Sequence, residues 1–331
     1  MATNRFEPVR LGVVGLGSFG TLHAQTAAGI AEAELTAVVA RREASVAALR
    51  EKLPARCDVA AFLDLDKAIA EADVEAWIVA SSTASHVPIT AKLLEAGHTV
   101  LLEKPIADNL KEAATLESLV TADSDNLMMG HILLFNSELL QLMEEVQRRG
   151  PISYIDCARH RPTTTLEVLP GESPFHLTMV HDLYAVLALT HRAEPNRFSA
   201  QTHRNESGHV DLAIAQLQWP GGMTASFTAS FLTPPGMAAD GFDRMEIFGR
   251  GWAARTTPNP RPLEMWDDRA QWPMALEIRA DPDAPGGMLA EQMRCFCRVV
   301  RGRRRVPMGA TYQDAMQVER WLDKLVVCAA D

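Results

Sequence analysis

Lys104 lies at the end of the apolar run Leu101-Leu102-Glu103-Lys104-Pro105 and is the first side chain in this sequence placed to do chemistry. A lysine at the carboxyl end of a central parallel strand points into the crevice where open α/β sheets take their ligands. There its ammonium can hydrogen-bond a reacting hydroxyl and help move the proton, with Pro105 fixing the turn that orients it. On spacing alone, a solvent-exposed lysine at a strand end fits as well. His181 is the second candidate, set in an apolar helical pattern of Leu177, Val180, Leu183 and Leu187. Such a histidine is either a hydrogen-bonded core residue or an acid–base group, since a free imidazole titrates at about pH 6.5. His176, His181 and Asp182 could together suggest a metal, but an offset of five residues puts the two histidines poorly on one face of an α-helix. No metal is expected.

A ligand for these groups is indicated near the start of the chain. Val9-Arg10-Leu11-Gly12-Val13-Val14 reads as a buried parallel strand and runs into Gly15-Leu16-Gly17-Ser18-Phe19-Gly20, a G-x-G-x-x-G followed by a helical stretch from Thr21 to Ile30. Gly15 allows the tight strand-to-helix turn, Gly17 leaves room for a pyrophosphate, and Gly20 lets the helix pack closely on the strand. The helix start, at Ser18 and Phe19, offers N–H groups and the positive dipole end to phosphates. Dinucleotide folds also place an acid on the adenosine ribose at the end of the second strand, about twenty residues beyond the last glycine. Here that strand ends Val38-Val39-Ala40-Arg41-Arg42, with alanine at the acid's position. A small residue followed by arginines admits a 2′-phosphate and pairs with it, so NADP is expected over NAD, with NAD possible. The alternative is that Arg41 and Arg42 are the solvated first turn of the next helix, where arginine opposes the dipole.

The elements that must position these residues alternate strand and helix over the first 130 residues. Strands are expected at Glu34 to Ala40, near Asp58, at Val74 to Ala80, His98 to Leu102 and Leu127 to Gly130. Helices are expected at Arg42 to Leu53, at Ser85 to Ala96 (closed by Gly97), and from an Asn109 cap to about Val120. This rhythm is that of a doubly wound parallel sheet. Beyond it a helix, Ser137 to Arg149, stops at Gly150-Pro151. Strand-like stretches follow at Ser153 to His160, Phe198 to Arg204, Val210 to Gln218, Met223 to Phe231 and Met245 to Phe248. The alternation in Asp211 to Gln218 is that of a half-exposed antiparallel sheet. Helices near Leu177 to Leu189, Met288 to Val300 and Tyr312 to Cys328 complete this half, and Thr257 to Pro262 reads as a surface turn. The expected organisation is α/β: a Rossmann domain over 1–128, then an α+β domain with a large, mostly antiparallel open sheet over 129–331.

Composition narrows the partners. A net charge of −10 argues against nucleic acid, whose binding is driven by basic surface. The one basic cluster, Arg298 with Arg301 to Arg305, reads as a solvated helix end. No apolar run approaches the roughly 20 residues of a bilayer span, and Met1 to Pro8 lacks the apolar stretch of an export signal, so a cytoplasmic protein is expected. Five cysteines at irregular spacing do not form a disulfide framework, and Cys295 and Cys297 suit core packing better than zinc.

Several motifs occur together in order: the glycine loop, Ser81-Ser82-Thr83-Ala84-Ser85-His86, Glu103-Lys104-Pro105, Gly130-His131 with Phe135-Asn136, and Val180-His181-Asp182-Leu183. In combination they resemble the glucose–fructose oxidoreductase / inositol dehydrogenase / rhizopine catabolism (Gfo/Idh/MocA) family over nearly the whole chain. The resemblance implies a tightly held nicotinamide cofactor and oxidoreduction of a sugar, cyclitol or related polyol, with Lys104 and His181 in the active site. To Gly15, Gly17, Ser18, Phe19, Gly20, Arg41 and Arg42 it adds Ser81, Thr83, His86, Glu103, Lys104 and Pro105 as cofactor contacts. Two departures stand out. Many dehydrogenases of the family carry an aspartate four residues before the histidine, where this chain has Leu177; His176, Asp182 or Tyr184 would have to compensate. Ser82 stands where a proline is common. Leu177 favours an alternative, a non-catalytic sensor that keeps the fold to bind nucleotide and sugar. The open sheet face implies a homodimer or homotetramer.

Overall fold

The computed structural model describes residues 7–237, 242–257, 265–266, 270–271 and 286–330. Residues 1–6 and the larger part of the expected 257–262 turn lie outside the described residues. By its contacts the chain divides into two compact units, Met1–Phe135 with Ile278–Met316, and Asn136–Glu277 with Gln317–Asp331. The division thus differs from a single cut after residue 128. The first unit extends to Phe135, and the chain later returns to it.

The first unit is the doubly wound sheet. Strands β1 (Val9–Val14), β2 (Ala33–Val39), β3 (Ala60–Phe62), β4 (Ala76–Val79), β5 (Thr99–Glu103) and β6 (Leu127–Gly130) lie in the order β3-β2-β1-β4-β5-β6, all parallel. The helices between them are α1 (Ser18–Gly29), α2 (Glu43–Arg50), α3 (Leu65–Glu71), α4 (His86–Glu95) and α5 (Leu110–Ala114). β4 and β6 are buried at every position, and β1 and β5 at all but one, as expected of strands covered on both faces. Gly12 is required inside β1 because the Trp77 ring of the adjacent strand occupies the place of a side chain: a Cβ there would lie 2.3 Å from it. Asn109 caps α5 by accepting from the Glu112 N–H at 2.9 Å. That helix stops at Ala114 and gives way to a 3₁₀ turn at Glu117–Leu119 instead of running on to Val120.

The returning segment completes this unit. The Met129 N–H donates to the Ala310 carbonyl at 2.7 Å, and Met128 bridges Thr311, so edge strand β6 is covered. Arg301 is more than a solvated helix end. It pairs with Glu75 and donates to the Pro8 carbonyl at 2.8 Å, and its hydrogen bonds hold the Glu75 carboxyl below the usual range.

The second unit is built on helix α6 (Ser137–Arg149), strand β7 (Ile152–Pro162), a short helix α7 (Thr165–Val168), a π-helical turn Phe175–Met179 and helix α8 (Val180–Leu189). Strands β8 (Arg197–Arg204), β9 (Val210–Gln218), β10 (Thr224–Thr233), β11 (Arg244–Gly249) and β12 (Trp252–Thr256) follow. The sheet order is β12-β11-β7-β10-β9-β8, antiparallel except where β10 runs parallel to β7. In β9, Ala213, Ala215 and Leu217 are buried while Ile214 and Gln216 are exposed, the alternation read from the sequence. Helix α9 (Gly287–Val300), with Cys295 and Cys297 buried, belongs to the first unit, and the unit boundary falls within α10 (Tyr312–Cys328). Strand β12 is an element that the sequence reading lacked.

One buried acid in α10 makes stability depend on pH. Glu319 is 3% exposed, and its Oε1 has no hydrogen-bond partner. Burial, reinforced by the charge of Asp323, pushes its carboxyl from 4.5 up to about 8. The folded chain therefore keeps a proton that the unfolded chain releases. The contribution of Glu319 is fully present below pH about 4.5, declines as pH rises and is lost as pH passes about 8. Glu319→Gln is expected to flatten the fall of melting temperature between about pH 4.5 and 8. Calorimetric curves of equal slope for variant and wild type would refute this.

Candidate active site

In the first unit the glycine loop forms one wall of a cavity of about 550 Å³. Gly15 has a φ of +93°, and a Cβ on it would lie 2.7 Å from the Ala80 carbonyl oxygen. A Cβ on Gly20 would lie 1.9 Å from the Gly15 carbonyl oxygen, so both positions demand glycine for the chain itself. Gly17 differs. Its φ of −75° suits any residue and a Cβ would meet nothing within 4 Å, so the space over it belongs to the cavity. Helix α1 begins there without a side-chain cap and without an acid in its first turn, and its first backbone bond runs from Thr21 N–H to the Gly17 carbonyl. The amides of Ser18, Phe19 and Gly20 precede that bond and are available to an anion.

Of the expected cofactor residues, the structure brings Gly15, Gly17, Ser18, Phe19, Arg41, Arg42 and Ser81 together around this cavity, with Gly20 just behind. Ala40, Ser45, Leu63 and Ser82 also line it, and among the described residues no acidic side chain does. The Ser85 hydroxyl lies 2.8 Å from the Ser81 hydroxyl and 2.7 Å from the Ser82 carbonyl, so hydroxyls order this loop. These residues fit a dinucleotide, with an uncapped helix start for its phosphates and cationic side chains beyond β2.

The remaining expected residues support this loop. Thr83 opens the 3₁₀ turn that leads into α4. His86 is 2% exposed, its Nδ1 2.7 Å from the Pro105 carbonyl and its Nε2 3.1 Å from the Ser81 carbonyl. It ties the turns after β4 and β5 together and does not line the cavity. The Lys104–Pro105 peptide is cis, and Lys104 is half-buried. Glu103 is buried in the unit, where Oε2 accepts from the Lys104 N–H at 3.2 Å and Oε1 lies 2.9 Å from His23 Nε2. Gly130 makes room for that carboxylate, because a Cβ there would be 2.7 Å from Glu103 Oε1. His23 is fully buried on α1 and meets Phe19 edge to face at 5.3 Å. The sequence reading missed His23. Its signal is a histidine one turn beyond Gly20 on the buried side of the helix.

In the second unit, His181 is half-buried at the second position of α8. Asp182 is part of a buried ion cluster. Its carboxylate is gripped by Arg159, Nε to Oδ2 at 2.9 Å and Nη2 to Oδ1 at 2.8 Å, and Arg159 Nη1 reaches Asp243 at 2.8 Å. All three residues are at most 3% exposed. Burial by itself would lower the Arg159 pKa, but the two carboxylates outweigh it and raise it. Burial pushes the Asp182 carboxyl up against the pull of Arg159. Strand alternation could have found this cluster, because Arg159 follows Ile155 and Cys157 on the buried face of β7 and an inward arginine needs carboxylates. Tyr184 is fully buried.

The expectation that His176 and His181 lie on different helix faces is corrected here. Phe175–Met179 is not α-helical but a π turn, in which the Val180 N–H bonds the Phe175 carbonyl five residues back. From Pro174 to Leu189 all residues are buried except His176, Leu177 and His181, which are half-buried. Among the described residues no group of three or more histidines, cysteines or carboxylates could hold a metal ion, and no helix is long and apolar enough to cross a membrane.

Residues 9–131 match a family model described as an oxidoreductase family with an NAD-binding Rossmann fold, and residues 145–253 match the GFO/IDH/MocA C-terminal domain. A UDP-N-acetylglucosamine 3-dehydrogenase of Acidithiobacillus ferrooxidans is 29% identical over 227 residues, 67% of each chain. An inositol 2-dehydrogenase of Agrobacterium fabrum is 27% identical over 177 residues, 53% of this chain and 52% of that protein. The chain thus spans about half the length of that inositol dehydrogenase. Scyllo-inositol dehydrogenase from Lactobacillus casei, solved with bound NAD(H) and scyllo-inositol, shares the fold at a TM-score of 0.81. That alignment covers 98% of this chain and 97% of the other at 19% identity. Two domain matches of one family, set on a glycine-loop sheet and a mostly antiparallel sheet, make this chain a member of the GFO/IDH/MocA oxidoreductases, enzymes with an NAD-binding Rossmann domain.

Proposed function

We propose that this protein is an NADP(H)-preferring oxidoreductase that transfers a hydride between the nicotinamide and a carbinol or carbonyl carbon of a sugar, cyclitol or related polyol. The observation that carries the reading is the cavity over Gly17, which has an uncapped helix start on one wall, Arg41 and Arg42 on another and no carboxylate among the described residues. The cofactor, when bound, accepts or supplies the hydride. The amides of Ser18 and Phe19 hold its phosphates, and Arg41 pairs with the 2′-phosphate. Lys104 polarises the substrate oxygen, and His181 takes the hydroxyl proton in oxidation and returns it in reduction. The same proposal extends to a cytoplasmic homodimer or homotetramer joined through the open face of the second sheet, where Ile214 and Phe248 are exposed.

The test begins with the cofactor. Arg41→Ala is expected to weaken NADP(H) binding by about 1.5–3 kcal/mol, the scale of a charge-assisted hydrogen bond, and to leave NAD(H) binding nearly unchanged. Equal losses for both by calorimetry would end the NADP preference. A turnover screen over inositols, sugars, nucleotide sugars and their keto forms then tests the reaction. Tight cofactor binding without turnover on any of them would favour the sensor reading that Leu177 allows.

A further inference from the structure

We infer that His176 is a second proton-handling residue of this protein. The inference rests on the reading of His181 as an acid–base group.

The winding of the chain carries it. In an unbroken α-helix five residues advance about 500°, which would leave His176 about 140° around the axis from His181. The π turn has roughly 4.4 residues per turn and cuts that separation to about 70°. The Thr178 hydroxyl supports the wide turn by donating to the Pro174 carbonyl at 2.9 Å. Burial agrees with this winding: His176, Leu177 and His181 are the part-exposed residues between Pro174 and Leu189. Of the other titratable groups on this segment, Asp182 is buried and held at both oxygens by Arg159, and Tyr184 is fully buried. That leaves His176, which is half-buried. Its ring is oriented, because Nδ1 lies 3.0 Å from the Ser173 hydroxyl. With Nδ1 so engaged, Nε2 is the nitrogen assigned to proton exchange.

The proton balance is simple. In oxidation the substrate O–H bond breaks and its electron pair becomes part of the carbonyl. The C–H pair leaves as hydride to the nicotinamide, and the proton passes to His181 and on through His176 to solvent. Reduction runs the same path backwards. Two imidazoles suit such a relay, since a neutral ring carries one nitrogen that accepts a proton and one that donates it.

The test is made on the cofactor-loaded protein with a substrate found in the turnover screen. His176→Ala is expected to lower kcat by about 10²-fold, while KM and cofactor affinity stay within about twofold of wild type. Imidazole added to the buffer should restore a large part of the lost rate, which it would not do for a merely structural gap. His176→Asp, which puts a carboxylate at this position, should keep kcat within about tenfold of wild type and serves if the alanine variant folds poorly. An alanine variant with wild-type kcat, or a slow one that imidazole leaves unchanged, overturns the inference and leaves the oxidoreductase reading intact. Wild-type protein that turns over no substrate overturns both, so the two failures are told apart by the wild-type trace.

Discussion

Lys104→Ala and His181→Ala are each expected to lower turnover by about 10²–10⁴-fold, and the double variant by little more than either. If one group polarises the oxygen while the other handles its proton, losing either leaves the remaining group with an unassisted step. Groups that act as a unit are strongly non-additive for this reason. The binding side should separate the two. Lys104 follows the buried Glu103 at the end of β5, in the unit that holds the cofactor cavity, whereas His181 sits on α8 of the other unit. His181→Ala should therefore leave cofactor affinity near wild type. Single-turnover hydride transfer measures the rate. Losses that add fully in the double variant would mean that the two residues do not serve one proton path, and retained turnover in His181→Ala would remove it from the chemistry.

Gly17→Val should abolish tight cofactor binding with only a small drop in melting temperature. The three glycines of the loop are not equivalent in this respect. Substituting Gly20 drives a side chain into the Gly15 carbonyl, and Gly15 needs its positive φ, so variants at either would confuse folding with binding. At Gly17 the backbone is ordinary and the protein leaves the space empty, so a branched side chain fills only the place of a pyrophosphate. Fluorescence titration with NADPH and NADH, run beside thermal melts, measures both quantities. Unchanged affinity would remove the dinucleotide from this cavity.

What could be read from the sequence was what short-range chemistry controls. Leu127–Gly130, Ser137–Arg149, Val210–Gln218 and Tyr312–Cys328 have the bounds expected of them, because apolar period and local punctuation such as Gly150-Pro151 decide such elements. The walls of the cofactor cavity were legible for the same reason, being a motif and its adjacent strand end. The π turn was not. A pattern analysis that assumes one helical period has no place for an extra residue in a turn, and so set His176 apart from His181. The pairs His23–Glu103 and Arg159–Asp243 were hidden for another reason. Each joins residues 80 or more positions apart, and only the folded sheets bring them within reach.

The His23–Glu103 pair has a bearing on recombination between relatives. It joins the helix of the glycine loop to the residue before Lys104 inside one buried contact. A crossover between positions 23 and 103 therefore cuts one functional block in two, although both halves are complete as motifs. A loop taken from a parent with an apolar residue at 23 would leave Glu103 as a buried carboxyl without its partner. Leaving one buried hydrogen-bonding group without its partner costs about 1–3 kcal/mol, a large part of a domain's stability. Substitution beyond β2, at the exposed Arg41 and Arg42, disturbs no such buried contact with the strand of the lysine.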